Sequence, residues 1–198
     1  EQEPTCISTW AGIVGPFDAR ALARRLTSPL LTPRDIKCYY RILHRSLRTR
    51  GHDAKAPVKS CRLCGRAVES MSHLPTCPVV QSTFRPLAQL TTELTNKSVS
   101  LDARFIYLGL TDDDYLPSAL SALHIIIWKF LLIAFTRVDV ENEPFKVETV
   151  RKQSVLRWES RLLSYKEHVR LYMLGRKARN DGPLTDKIIH RYETEFDP

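Results

Sequence analysis

Three cysteines and one histidine stand close together in the segment CRLCGRAVESMSHLPTC, with the spacing C-x2-C-x8-H-x3-C. Two cysteines three residues apart on a tight turn direct both thiolates to one point, and a His-x3-Cys pair does the same across one helical turn. These ligands, Cys61, Cys64, His73 and Cys77, satisfy a tetrahedral Zn2+ and leave no open position for a catalytic water. The spacing therefore predicts one structural zinc ion.

Gly65 follows the second cysteine directly, where a turn around a metal-bound sulfur needs a residue that tolerates positive φ. Two other interpretations of the segment are a disulfide pairing and a pair of buried free thiols beside an unrelated histidine. Cys6 and Cys38 lie elsewhere, and five cysteines form no even disulfide framework. We therefore expect free thiols and a reducing, intracellular compartment.

The formal charge of +8 is concentrated in two segments of the 198-residue chain. Residues 34–66 hold ten Lys and Arg against two acids, residues 145–180 hold ten against three, and the remainder carries a net charge of −7. Two basic segments in an acidic remainder favour a polyanionic partner, with solvated helix faces as the alternative. An apolar content of 43% is typical of a folded protein.

The elements that must position these residues are predicted to be helices. We expect residues 1–31 to form an arm with one short helix, Asp18 to Leu26, after a loop-like stretch WAGIVGPF. Residues 32–90 form the predicted zinc-stabilised module. Its first helix begins at Thr32-Pro33, because the hydroxyl can cap and the proline suits the first turn, and it ends near Arg50-Gly51.

This first helix of the module is predicted to be apolar on one face and basic on the rest. At least one of Tyr39 and Tyr40 belongs to the core, and an exposed tyrosine could stack on an unpaired base. Lysine and arginine contacts to phosphate give salt-dependent binding with little sequence preference. The predicted nucleic-acid contacts are Arg34, Lys37, Arg41, Arg45, Arg48, Arg50, Arg62 and Arg66.

Residues 91–104 lack periodicity and are predicted to be a linker before a helical domain, residues 105–198, with its own apolar set. In FIYLGL, residues 105–110, the pattern fits a short buried strand and a helical turn equally. Three adjacent aspartates, Asp112 to Asp114, are more typical of a helix-entry loop than of a catalytic metal site, because no second cluster accompanies them.

The segment 119–135, ALSALHIIIWKFLLIAF, is nearly continuously apolar. We expect a buried core helix, because a membrane span needs about 20 apolar residues and Lys129 would lie inside it. His124 is predicted to be a hydrogen-bonded core residue. A long amphipathic basic helix from about Phe145 to Ala178 follows. It carries a narrow apolar seam suited to packing along a second helix, at Val155, Trp158, Leu162, Tyr165, Val169 and Tyr172.

The stretches IKCYYRILHRSLRTRGH and CRLCGRAVESMSHLPTCPVV resemble the zinc-binding domain that follows the reverse transcriptase in many non-LTR retrotransposons. The resemblance covers about residues 33–90: a basic, aromatic-rich helix, a Leu-x-Thr-Arg turn at 47–50, the pair Glu69-Ser70, then His-Leu and a final Cys-Pro. Family members commonly place four residues between the histidine and the last cysteine, whereas this chain places three. The resemblance implies Cys61, Cys64, His73 and Cys77 as ligands.

Three functions follow from these patterns. The first is a non-catalytic, zinc-containing nucleic-acid-binding protein derived from a retroelement-like domain, with RNA favoured because no helix-turn-helix or tandem-finger pattern appears. The second is a structural subunit of a large assembly, such as an organellar ribosome or respiratory complex, held through residues 119–135 and the 155–172 seam. The third is a nuclease remnant.

We do not expect an enzyme or a small-molecule substrate, because no separated Asp/Glu/Lys constellation appears and TDDDY differs from the Tyr-x-Asp-Asp of a reverse transcriptase palm. The chain begins at Glu1 without a start methionine, so we expect a fragment or a processed protein. A mitochondrial location after removal of a presequence and a nuclear location fit equally.

Overall fold

The computed structural model describes residues 5–111, 116–141 and 143–177, with side chains from residue 7 to residue 167 of those ranges. This part of the chain is mainly helical and contains no strand, as the sequence predicts. Its elements in order are α1 (Thr5–Val14), α2 (Ala19–Arg25), α3 (Pro33–Leu43), a 3-10 turn (Leu74–Thr76), α4 (Pro78–Thr95), a π-helical turn (Arg104–Leu108), α5 (Ser118–Val140) and α6 (Val147–Lys177).

The N-terminal arm is more helical than the sequence predicts. WAGIVGPF, expected to be loop-like, begins inside α1, where burial of Trp10 outweighs the low helix propensity of glycine. The Trp10 indole donates to the carbonyl of Leu43 at 2.7 Å, so the arm packs on the end of α3. The predicted second helix is confirmed as α2, and Asp18 caps it by accepting from two backbone N–H groups.

α3 begins as predicted but ends seven residues before Arg50, at Leu43. At its start Thr32 and Asp35 form a capping box, in which the Thr32 N–H donates to Asp35 Oδ2 at 2.7 Å. At its end Arg45 takes a φ of 51° and the Ser46 N–H returns to the carbonyl of Arg41, which is a Schellman arrangement. Arg45 and Arg48 therefore lie beyond the helix to which the sequence assigns them.

Gly51 ends no helix, although the sequence predicts the end of the first helix near Arg50-Gly51. Its N–H donates to the backbone carbonyl of Glu69 at 2.9 Å, and a Cβ at Gly51 would overlap that same oxygen. The glycine is required because two backbone segments cross here without room for a side chain.

α4 continues through Pro86, although proline usually bends or breaks a helix. Proline has no N–H to donate to the carbonyl four residues earlier, which belongs to Ser82. Arg151 of α6 supplies the missing donor, because its guanidinium bonds to the Ser82 carbonyl. The helix tolerates the proline through a contact between distant segments that no local pattern reports.

Buried side chains from both sides of the predicted 91–104 linker form one core. The Tyr39 hydroxyl donates to the carbonyl of Tyr107 at 2.6 Å, and the Tyr107 hydroxyl donates to the carbonyl of Met71. Trp128 of α5 stacks on the Tyr107 ring with 5.6 Å between centroids. The expectation of a separate apolar set on each side is wrong, and residues 91–95 belong to α4.

FIYLGL forms the π-helical turn and the residues after it, so the helical alternative is the observed one. The imidazole of His124 lies within hydrogen-bonding distance of two carbonyls of this turn, at 3.0 Å from Phe105 O and 2.9 Å from Ile106 O. Burial lowers the pKa of His124 to about 3, with Arg25 adding to the effect, so the side chain is neutral. The prediction of a hydrogen-bonded core histidine is confirmed.

The predicted buried apolar helix is α5, and it extends five residues beyond Phe135. In the described ranges it is the one helix long and apolar enough to cross a membrane. Of its most apolar stretch of 18 residues, 72% is buried inside the fold. Lys129 is buried as well, because its ammonium group contacts the fully buried Asp35 carboxylate at 2.8 Å.

α6 packs against α5, and its inward face keeps Trp158 of the predicted seam but leaves out Val155. Val150 and Ser154 are buried and the Trp158 indole donates to the Ala119 carbonyl at 2.8 Å, whereas Val155 is 39% exposed. Arg161 is not part of the predicted seam, yet its guanidinium lies 2.6 Å from the carboxylate of Asp35. The side of α6 that carries Arg161 therefore faces the interior of the protein. Leu162 and Tyr165 are half-buried, and the side chains of Val169 and Tyr172 lie outside the described residues.

Candidate metal centre

The four predicted ligands converge on one point. Their ligand atoms all lie within 4.8 Å of one another, with Cys61 Sγ 4.0 Å from Cys77 Sγ and Cys64 Sγ 3.3 Å from His73 Nε2. A tetrahedral zinc ion with Zn–S bonds of about 2.3 Å places two sulfurs about 3.8 Å apart. The spacing of the donor atoms therefore fits one four-coordinate metal ion.

The disulfide interpretation fails on the same distances. A disulfide needs its sulfurs about 2.05 Å apart. Cys61 and Cys77 are twice that distance apart, and the described cysteines Cys38, Cys61, Cys64 and Cys77 are all free. The thiols are thus available as ligands.

The first two ligands lie on a tight turn that the sequence predicts correctly. The Gly65 N–H donates to the carbonyl of Cys61 at 2.8 Å, and Gly65 has the expected positive φ, 68°. An isolated β-bridge between Ser60 and Val68 closes the base of the turn. The backbone N–H groups of Leu63 and Cys64 point to the Cys61 sulfur and stabilise its thiolate.

The second two ligands lie on either side of the 3-10 turn. His73 precedes it, and the Ser70 hydroxyl accepts from the His73 N–H at 3.1 Å. Cys77 follows it and stands at the N-terminus of α4, where the N–H groups of Val79 and Val80 favour a negative sulfur. The His-x3-Cys spacing therefore spans one short helical turn.

Cys61 and Cys77 share a single proton readily because their sulfurs face each other in a buried site. The adjacent Cys77 thiol lowers the pKa of Cys61 to about 5, and the same contact raises the pKa of Cys77. Two buried thiolates side by side repel each other unless a cation lies between them. The donor set therefore suits a doubly charged metal ion.

Glu69 forms a second layer behind the metal ligands. Its carboxylate is fully buried and accepts from the Arg50 N–H at 2.9 Å, the Arg62 N–H at 3.0 Å and the Arg62 Nε at 2.7 Å. Because Arg62 lies between Cys61 and Cys64, this carboxylate ties the metal-binding turn to the turn at 47–50. The guanidinium of Arg62 also bonds to Asp139 in the last turn of α5.

The predicted nucleic-acid contacts divide into two groups. Arg50 is half-buried, the Arg62 side chain is buried, and both are bound to carboxylates, with Arg50 contacting Asp139 at 2.8 Å. The exposed group comprises Arg34, Lys37, Arg41, Arg45, Arg48 and Arg66. Among these, Arg48 contacts Asp53 at 2.8 Å, and the other five make no ion pair within the described part of the chain. Tyr39 is buried and Tyr40 is 46% exposed.

Sequence reasoning missed two parts of this region. Asp139 was not singled out because it lies far along the chain from the two arginines that it binds, and no periodicity marks it. The buried network of Asp35 with Lys129 and Arg161 escaped notice for the same reason, although a lysine inside an apolar helix is itself a signal that a carboxylate partner exists. The aspartates at 112–114 lie outside the described residues.

No protein-family model, curated protein or solved structure matches this chain. The resemblance to the retroelement zinc-binding domain therefore stays a prediction that depends on the residues alone.

Proposed function

We propose that this chain is a non-catalytic protein that binds nucleic acid, RNA in preference to duplex DNA, on a basic surface held in shape by one zinc ion. Cys61, Cys64, His73 and Cys77 hold the ion. Three thiolates and an imidazole in a closed tetrahedral set select zinc over magnesium or calcium, which prefer oxygen ligands. Bound zinc supplies no reaction here, because the four protein ligands fill its coordination sphere.

The observation that carries the proposal is a contrast between two kinds of cation. Inside the fold, Lys129, Arg161 and Arg62 are each bound to a buried carboxylate. On the exposed side of α3, Arg34, Lys37 and Arg41 recur three and four residues apart and make no ion pair among the described residues. Cations spaced in this way along one helix face match the repeated negative charge of a phosphate backbone.

The zinc-binding turn supports this surface from behind. Glu69 joins the turn to the Arg50 backbone, and the residues between Arg41 and Arg50 complete the basic surface. Tyr40, half-exposed beside Arg41, adds a ring on which an unpaired base can stack. We infer that the metal positions the cations without contacting the nucleic acid.

The test compares two triple variants with equal loss of charge. In the first, Arg34, Lys37 and Arg41 become alanine; in the second, three exposed cations elsewhere, Arg20, Arg85 and Lys146, become alanine. Fluorescence anisotropy measures the affinity for a labelled single-stranded RNA across a range of salt concentrations. The logarithm of the binding constant decreases linearly with the logarithm of the salt concentration. The steepness of this decrease should be smaller by about 2 in the first variant, at about 0.7 per phosphate contact, and unchanged in the second. Equal slopes in both variants, or no salt-dependent binding by the native chain, would overturn the proposal.

A second function, subunit of a larger protein assembly, is favoured by one observation. Leu156 and Leu163 of α6 are 54% and 67% exposed and lie seven residues apart, hence on one side of the helix. Large apolar side chains left in water on one helix face are typical of protein interfaces. Mass-spectrometric identification of the proteins that purify with the native chain tests this function, and recovery of the chain alone would argue against it.

A further inference from the structure

A cleft of about 710 Å³ separates the loop of residues 46–58 from the C-terminal half of α5. We call it the 46–58 cleft. Leu132 and Phe135 of α5 line it but are only 9% and 3% exposed, and the Arg62 guanidinium covers the Phe135 ring. Val58 and Val140, which are 52% and 73% exposed, also line it and present further apolar surface. The cleft thus offers a concave surface that is partly apolar.

The charge of the 46–58 cleft is strongly positive. Five cations line it, namely Arg41, Arg48, Arg50, Lys55 and Arg62, against two acids, Asp53 and Asp139. Both acids already bind arginines of the cleft. Arg41 and Lys55 are exposed and make no ion pair within the described ranges, so they are available to an anion.

Thr49 adds a polar group on the wall of the cleft. The residue is fully buried, and its hydroxyl has no hydrogen-bond partner among the described residues. A buried hydroxyl without a partner costs free energy that a ligand oxygen or an ordered water recovers. The cleft therefore combines free cations and two exposed valines at one place, with the unpaired Thr49 hydroxyl buried behind its surface.

We propose that the 46–58 cleft holds one nucleotide of a single-stranded nucleic acid, with its phosphate against Arg41 and Lys55 and its base against the exposed valines Val58 and Val140. This inference rests on the proposed function and assigns the place where a base, as opposed to the backbone, is bound. The volume suits a nucleotide, since ligand pockets of roughly 300–1,000 Å³ hold molecules of that size.

Two features favour a nucleotide over other anions. An inorganic phosphate would use the cations but leave Val58 and Val140 in water. A base of a duplex is stacked and paired and so does not enter a concave cleft, whereas an unpaired base does. An acidic peptide would satisfy the charge as well, and it is one outcome of the test.

The experiment uses two labelled RNA strands of about twelve nucleotides, a length within the range of known single-strand sites. One carries bases, and the other has hydrogen in place of every base, so the phosphates are identical. The native chain should bind the base-bearing strand at least about fivefold more tightly, because stacking of a base is worth roughly five- to hundredfold in affinity.

The matched variants are Val58→Asp and Val68→Asp, which change two exposed valines in the same way, with Val58 inside the cleft and Val68 outside it. Each substitution adds one negative charge and so weakens the binding of both strands somewhat. Only Val58→Asp should reduce the ratio of the two affinities severalfold, and stacking on Tyr40, which lies outside the cleft, accounts for any preference that remains.

The outcomes separate this inference from the proposed function. Equal affinity of the native chain for the two strands would overturn the cleft assignment and leave nucleic-acid binding intact. An equal decrease of the affinity ratio in both valine variants would also overturn the cleft assignment. The same holds if a glutamate-rich peptide of the same length binds as tightly as the base-bearing strand. Absence of binding to either strand would overturn both.

Discussion

The Nε of Arg62 donates to Oε2 of Glu69 at 2.7 Å, and these two side chains are 6% and 0% exposed. Burial alone would raise the pKa of the Glu69 carboxyl, but the hydrogen bonds from Arg62 and from the Arg50 N–H lower it instead. The carboxylate is therefore ionised and paired inside the protein. Because Arg62 stands between two metal ligands and also reaches α5, this pair links the metal centre to the 46–58 cleft.

Replacing Glu69 with glutamine should destabilise the protein by about 3–5 kcal/mol, because it leaves the Arg62 guanidinium buried without its main counter-charge. Chemical denaturation measures the change in the free energy of unfolding. Glu148→Gln is the control, since Glu148 also pairs with an arginine but its side chain is 82% exposed. Similar unfolding midpoints for the two variants would show that the buried pair contributes no more than a surface one.

The clustering of Cys61, Cys64, His73 and Cys77 was predictable because their chemistry is local. C-x2-C and His-x3-Cys are each closed by one turn, and the positive φ of Gly65 follows from that turn alone. The helical class was predictable for a similar reason, since caps such as Thr32-Pro33 and Asp18 act within four residues. What a short segment decides by itself can be read from the sequence.

The errors arose where distant segments meet. The end of α3 depends on a left-handed Arg45, a conformation that arginine seldom adopts and that no residue pattern announces. The buried face of α6 depends on Arg161 reaching Asp35, 126 positions earlier in the chain. The shared core depends on Tyr107 contacting both Tyr39 and Trp128. Each is a tertiary contact that overrides a local preference.

Removal of the metal should unfold more than the zinc segment. Cys61 and Cys77 are 1% and 0% exposed and belong to the same core as α5. Structural zinc contributes on the order of 10 kcal/mol to the folded state of small domains. Cys64→Ser should therefore lose the bound zinc, as measured by elemental analysis. It should also lower the melting temperature of α5 and α6 together with that of residues 33–90.

Cys38→Ser is the control for Cys64→Ser, because Cys38 is a half-buried thiol of α3 outside the metal cluster. It should keep one zinc per chain and melt close to the native protein. A Cys64→Ser variant that retains a full equivalent of zinc would contradict the assignment of the ligands. Melting of residues 33–90 alone, with α5 and α6 intact by hydrogen exchange, would contradict the shared core.

Gly51→Ala should destabilise the protein by about 1–3 kcal/mol, the usual cost of forcing extra atoms into a packed site. The added Cβ meets the Glu69 carbonyl, which is backbone and cannot move without displacing the buried carboxylate. Gly12→Ala makes the same change inside α1, where nothing lies within 4 Å, and should stabilise the helix by about 0.5–1 kcal/mol. Thermal denaturation should thus give shifts of opposite sign, and a loss of stability in both variants would contradict the steric account.

Acidification should destabilise the native protein through His124. An unfolded histidine gains a proton near its ordinary pKa of 6.5, whereas burial keeps the folded pKa near 3. The unfolded state therefore binds more protons between these values, so stability is complete above pH 6.5 and falls as the pH decreases toward 3. From pH 7.5 to pH 5 the free energy of unfolding should decrease by about 2 kcal/mol.

The control is His124→Gln, which keeps an N–H donor for the Ile106 carbonyl but has no group that titrates in this range. The variant retains all four predicted metal ligands. Subtracting its pH profile of unfolding free energy from the native one cancels the metal contribution, and parallel profiles would show that His124 does not titrate as its burial requires.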